Sequence, residues 1–390
     1  MPIYVMIVIR MEAAKERMGA VSNVCWMPFF DMIFGWGKLM KSNSYEIEDA
    51  VLQEGKLWFC LSDYKCLGSM DLESKETKTY VIPIEKTYIQ KKAFISMVLM
   101  GHKIYLIPLG EKVIMQFDTI TEEFEKIDID EKIVPYKKGM FFGVGKCGQY
   151  LFIMGAFVPV ILRLDTINNH IDYIMDWYQE AKNLIFDFKD IYFRRQCVVK
   201  NNKLYVPFCN ANAVLEVDCI SMKSKIHKLG EKKQGYSGVC IEGNTLWFSP
   251  RTSGDIVKWD IVTKQKNTIS IPGLQNLSGE CTYAGILAIN NKIMLFPMKE
   301  RKKIDIEEKS VEELQGKFFF VQDDGTYAVF FEKTSGIITV MEHDTDRRLD
   351  IRLAKVNVDV ARILNENNNY IVENEVVDIR NYIEYVNANL

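Results

Sequence analysis

Histidine is scarce in this chain of 390 residues, with four copies at positions 102, 170, 227 and 343. None is spaced from the nine cysteines as a tetrahedral zinc site demands, and no C-x-x-C pair occurs, so no metal and no cofactor is expected. Charge of either sign is also missing in excess: the net charge is −3, which leaves no basic footprint for nucleic acid. The one compact basic run, Lys299 to Lys303, is broken by Glu300 and followed by Asp305, Glu307 and Glu308, as in a solvated loop. Long apolar runs are absent too. Val24 to Trp36 holds Pro28 and Asp31 and falls short of the roughly 20 residues of a membrane span. Ile3 to Ile9 has neither a basic leader nor a small-residue cleavage site, so no secretory signal is expected there. The cysteines are odd in number and scattered. Buried free thiols, a reducing compartment and hence the cytoplasm are expected.

What the chain does have is a period. Leu57, Ile104, Leu151, Leu204 and Leu246 each precede an Asp by 14 residues: Asp71, Asp118, Asp165, Asp218 and Asp260. With Ile293 added, the steps are 47, 47, 53, 42 and 47 residues, a length that suits four strands per unit. In the clearest unit, strands are predicted at 196–200, 203–208, 213–217 and 223–228, bounded by Asn, Asp and Ser. The first hairpins carry Gly55-Lys56, Gly101-His102, Asn201-Asn202, Gly243-Asn244, Asn290-Asn291 and Asp324-Gly325, residues that tolerate positive φ. Each repeated Asp opens a short turn in which its carboxylate accepts a backbone N–H two residues on. Five copies of one catalytic acid would be redundant, so the Asp is read as turn chemistry.

A four-stranded antiparallel unit of about 45 residues buries both faces by stacking radially around a channel. The fold class expected is therefore all-β, a β-propeller. Six units are clear; a seventh, over 317–353, makes seven blades the favoured count and six the alternative. Over residues 45–353 the chain resembles the broad β-propeller group that includes the streptogramin lyase-like and kelch-like repeats. The Gly-Gly doublet of kelch repeats is absent, and Trp259-Asp260 and Gly101-His102 each occur once, so no single family is assigned. The aromatic stretch 1–44 is expected to pack on the propeller or to be partly disordered. Tyr178, Ala181, Leu184 and Ile185 have the spacing of a short helix between the third and fourth units. In the tail, 354–390, Asn374 with Val376, Val377, Ile379, Ile383 and Val386 predicts a short C-terminal helix.

Loops joining second to third strands share one face with the links between units and ring the channel mouth. Rigid strands position such loops, so function is sought there. The register brings Tyr64, Arg194, Arg195, Tyr236, Ser237, Arg251 and Tyr283 to that face. Arginine forks suit carboxylate or phosphate, and tyrosines offer flat faces to sugars. The expectation is a non-catalytic binding or scaffolding propeller, taking a small anionic or glycan-like molecule or a protein partner, and itself a monomer. Two alternatives stand: a lyase or carbohydrate-active enzyme using Asp63, Glu111 or Asp255 as base, and a membrane-associated accessory protein held by the aromatic N-terminus. Arg251 has a plainer reading as well, an ion pair with Asp255 that pins its loop.

Overall fold

The strands expected to bury both faces are those with unbroken apolar runs, and these run closest to the axis. A computed structural model describes residues 47–352 apart from 62–64, 85–92, 135–139, 188–190, 253, 273, 275–280, 300–305, 307, 334, 344 and 346, together with the backbone of 370–372 and 375–377. Seven successive sheets form a seven-bladed β-propeller. In blade 2 the strands are Phe94–Met100, Lys103–Pro108, Val113–Asp118 and Phe124–Asp128, paired antiparallel in chain order. Ile104 to Ile107 are wholly buried, whereas Glu125, Lys126 and Asp128 on the outermost strand are exposed. Inner strands are covered on both faces by neighbouring blades, which is why they lack polar alternation. The core is thus a ring of inter-blade clusters. Trp58, Leu106 and Phe117 lie in one between blades 1 and 2, and Tyr205, Phe248 and Trp259 in another between blades 4 and 5.

The Asp ruler matches the observed register blade for blade. Lys56, Lys103, Tyr150, Lys203 and Thr245 open the second strands of blades 1 to 5 and pair with Asp71, Asp118, Asp165, Asp218 and Asp260 at the ends of the third. Each Asp Oδ1 accepts the backbone N–H two residues on, from Glu73, Ile120, Ile167, Ile220 and Val262 at 2.8–3.1 Å. Each Asp carbonyl also accepts the N–H four residues on, at 2.9–3.0 Å, from Lys75, Glu122, Asn169, Met222 and Lys264. All five of those donors have positive φ, between 59° and 64°. The five turns are one turn, repeated.

The seventh unit is present: Phe318–Asp323, Tyr327–Glu332, Ile337–Glu342 and Arg348–Arg352, with Glu342 paired to Tyr327 where blades 1 to 5 hold Asp. The sixth departs from the pattern. Its third described strand, Val311–Glu313, pairs parallel to Lys292–Pro297, so three strands are seen and the hairpin expected there is replaced by a longer connection. The link helix forms at Tyr178–Ala181. It is docked by Trp177, which is buried against Phe193 and Phe208, and by Asp176, which accepts from Ser224 N and Oγ. The C-terminal helix is corrected at its start, because Glu375–Val377 is a strand paired with Tyr370–Val372. The β-branched residues counted there at helical spacing prefer a pleated partner. The rest of that expectation, and everything expected of 1–44, lies outside the described residues.

The ring closes through side chains. Gln322 of blade 7 donates through Nε2 to Asp49 of blade 1 and to the Met97 carbonyl of blade 2 (3.0 Å).

Candidate functional site

The link into blade 4 carries two adjacent arginines, and the chain must pass close over blade 3 to bring them to the axis. Gly143 makes room, since a Cβ there would collide with the carbonyl oxygens of Arg194 and Arg195. Arg195 then points inward with its side chain 6% exposed. Its Nη1 donates to the Glu48 carbonyl at 2.8 Å and stands 3.6 Å from Asp49 Oδ2, while Nη2 is 3.7 Å from Glu48 Oε2. The guanidinium lies 5.7 Å from the rings of Phe142 and Phe319 and 6.0 Å from Phe320. Asp49 also accepts from the N–H groups of Met97 (2.8 Å) and Ala50 (3.0 Å). Burial nevertheless pushes its carboxyl up to about 7, against the pull of Arg195 and those donors. Arg195 was expected to read a ligand anion; instead its fork is taken up by the protein's own acids. Gln196 crosses the axis the other way. Its amide gives Nε2 to the Ile286 carbonyl (3.0 Å) and takes the Ile286 N–H on Oε1 (2.9 Å), in a gap left by the missing side chains of Gly238 and Gly285.

The tyrosines are buried as well. Tyr236 and Tyr283 are both fully buried; Tyr236 donates to Asn212 Oδ1 (2.5 Å) and Tyr283 to Glu313 Oε2 (2.8 Å). Ser237, also buried, sits 3.0 Å from Ser249 Oγ. The cause is a bulge that sequence spacing does not reveal. In blades 2, 3, 5, 6 and 7 the register slips at the mouth end of the first hairpin, with Ile95, Phe142, Ser237, Ala284 and Phe319 as the extra residues. One extra residue exchanges the faces of everything before it. The aromatic at each strand start (Phe94, Phe141, Tyr236, Tyr283, Phe318) therefore packs in the wall, and Phe142 and Phe319 turn to Arg195. Tyr64, with Asp63, lies outside the described residues.

Two of the expected residues do reach the mouth partly exposed, Arg194 and Arg251. Arg194 rests over the Phe142 ring (5.4 Å) with Nη2 3.7 Å from Met298 Sδ. Arg251 follows Pro250 at the end of Thr245–Pro250, and its backbone is held on both sides, N–H to the Gly235 carbonyl (2.9 Å) and carbonyl to the Thr282 N–H (2.5 Å). Its Nη1 donates to the Cys209 carbonyl at 3.4 Å. Burial lowers its pKa, with Cys281 and Asp187 acting in the opposite sense. The Cys209 thiol is itself driven up by burial and feels the charge of Arg194. Blades 4, 5 and 6 thus set two guanidiniums about the Phe208–Asn212 loop, beside a thioether and two cysteines. Sequence reading missed Glu48, Asp49, Gln196 and Gln322; charged or amide residues in or just before apolar first strands were the available signal.

Asp255, named as a base and as the partner of Arg251, accepts from Lys232 Nζ (2.8 Å), and Gln234 brackets its backbone. Glu111, in the mouth loop of blade 2, is buried and its carboxyl is pushed up to about 7, with Lys65 opposing the shift. The histidines pair elsewhere: His102 with Asp118 (3.2 Å), His170 with Asp172 (3.4 Å), His227 with Glu216 (2.8 Å) and His343 with Asp323 (2.9 Å). Among the described residues no group of three or more His, Cys, Asp or Glu is placed to hold a metal, and no helix is long and apolar enough to cross a membrane.

No family model and no curated protein matches the chain. Solved structures do. A catalytically inactive virginiamycin B lyase from Staphylococcus aureus with quinupristin is similar with a TM-score of 0.55 at 12% identity, over 75% of this chain and 94% of that one. A streptogramin B lyase gives 0.53 at 13%, over 75% and 92%. The extracellular domain of a putative hybrid two-component system from B. thetaiotaomicron gives 0.52 at 10%, over 76% of this chain and 40% of that one. At such identities the likeness is one of fold. β-Propellers commonly bind or scaffold, and the neighbours include a lyase.

Proposed function

We propose that residues 45–353 form a non-catalytic binding propeller, acting as a monomer in the cytoplasm, that takes a small anionic or glycan-like ligand or an acidic protein segment at the mouth of blades 4 to 6. The observation that carries this reading is the pair of partly exposed guanidiniums, Arg194 and Arg251, set on different blades about one loop. Two forks at different angles suit carboxylate or phosphate better than a single cation does. Phe142 beside Arg194 supplies the flat face that the buried tyrosines do not. A thermal-shift screen against sugars, nucleotide sugars and short acidic peptides identifies the ligand class, and Arg251→Ala then tests the site. Lost binding with an unchanged melting temperature supports the reading. Intact binding with a lowered melting temperature makes Arg251 a loop support and refutes it.

One observation favours the enzyme reading. Glu111 is a buried carboxyl on the same face, pushed up to about 7, the range suited to a general acid or base. Turnover of any ligand found in the screen, lost in Glu111→Gln, would establish catalysis.

A further inference from the structure

The end of the propeller opposite the mouth carries an unexplained apolar feature. The residue two places after the turn Asp is Ile120 in blade 2, Ile167 in blade 3, Ile220 in blade 4 and Val262 in blade 5, and these are 67–76% exposed. The turn does not require them. In blade 1 the same turn, with the same hydrogen bonds and the same positive φ, is made with Glu73 at that place. A single exposed aliphatic residue needs no explanation, but four of them at the same place of four consecutive turns form a row that the turn chemistry does not call for.

Their geometry narrows the partner. Identical register and identical backbone bonding hold the four apices at the same level of their blades. Neighbouring blades hold the turns in place: Arg163 Nη1 of blade 3 donates to the Cys219 and Ile220 carbonyls of blade 4 (3.3 and 3.2 Å), and Asn169 donates to Glu125 of blade 2 (3.1 Å). The tips are separate points with polar backbone between them, unlike the continuous desolvated core of a protein interface. Points at one level, set in polar surroundings, suit a planar surface whose outer layer is polar and whose interior is apolar. The charges agree. Lys223, Lys225, Lys264 and Lys266 are exposed beside the tips of blades 4 and 5. The turn acids there, Asp218 and Asp260, are engaged by their own backbone N–H groups. On blade 2, Glu122 is taken up by Lys78 and Tyr80 of blade 1 (3.0 and 2.8 Å).

We propose that this end of the propeller docks peripherally on an anionic phospholipid bilayer, with Ile120, Ile167, Ile220 and Val262 dipping into the headgroup boundary and the blade 4 and 5 lysines meeting anionic headgroups. Each lysine near such a surface adds to attraction that salt screens, and the aliphatic tips add burial that salt does not weaken. The surface is distinct from the mouth, so a ligand bound there would stay accessible.

The full chain is sedimented with vesicles of phosphatidylcholine alone and of phosphatidylcholine with phosphatidylserine. Binding to the phosphatidylserine vesicles is expected, reduced by salt and by joint Lys223→Gln, Lys225→Gln, Lys264→Gln and Lys266→Gln. Joint Ile120→Ser, Ile167→Ser, Ile220→Ser and Val262→Ser should weaken it about tenfold or more, as loss of several buried aliphatic contacts requires. The melting temperature should hold, because Glu73 already occupies this place in blade 1. Failure of the unaltered chain to bind either vesicle overturns the proposal, as does undiminished binding by the four-serine variant, which retains the aromatic N-terminal stretch. A four-serine variant that changes the mass in solution while the unaltered chain ignores vesicles would make the arc a contact between protein copies, and the lipid reading false.

Discussion

At one end of the blades, five turns share one Asp, one pattern of hydrogen bonds and one residue of positive φ. At the other, no two blades agree: blade 4 sends Arg195 and Gln196 across the axis, blade 5 places Arg251, and blade 2 buries Glu111. Repetition at the first end builds the scaffold and can generate only collective properties, such as an arc of like side chains. Individual recognition needs the irregular end. Arg194 and Arg195 show how fine the division is, since neighbours in sequence become one mouth cation and one internal strut.

The sharpest way to break this contrast is to remove the strut. Arg195→Ala leaves Glu48 and Asp49 buried without their cation, and should cost about 3–5 kcal/mol in chemical denaturation. Arg251→Ala should remove mouth binding by an amount set by one charged hydrogen-bonding group, about 1.5–3 kcal/mol by calorimetry, with little change in melting temperature. Glu111→Gln tests the irregular end through pH. The Glu111 carboxyl rises from an ordinary 4.5 to about 7, so between those values the folded chain holds a proton that the unfolded chain has released. Stability from this group is present below 4.5 and falls as pH rises towards 7. Glu111→Gln should therefore gain on the unaltered chain across that window, by about 2 °C or more in melting temperature. Asp49, raised from 3.8 to about 7, has the same sign and should leave a residual slope. At the repetitive end, Asp218→Ala removes bonds to Ile220 and Ser221 in one turn of five and should cost only about 0.5 kcal/mol.

The repetitive end was the legible one. Asp, Asn and Gly at fixed offsets report local turn chemistry, and local chemistry is written in adjacent residues; hence the register of blades 1 to 5 and the presence of blade 7 could be read directly. Blade 6 was harder, because 298–310 interrupts the hairpin and Val311–Glu313 pairs parallel, a choice made by tertiary contact. At the mouth, the bulges at Ser237 and Ala284 turned Tyr236 and Tyr283 into the wall, and a bulge leaves no compositional mark. Arg195 was expected at the mouth, but its partners Glu48 and Asp49 lie 147 and 146 positions earlier in the chain, a separation that spacing arguments do not span. The helix expected after Asn374 rested on counting apolar residues without weighing their branching.

In the described residues the first and seventh blades are each built from one continuous stretch, Asp49–Val81 and Phe318–Arg352, and neither lends the other a strand. The circle is thus fastened by a clasp, Gln322 with Asp49 and Met97. A ring fastened in this way has no privileged seam in its chain: opened at another inter-blade link and joined across the old one, it would keep every sheet intact. Circular permutation therefore becomes a route to moving the chain ends from one blade to another without redrawing the blades.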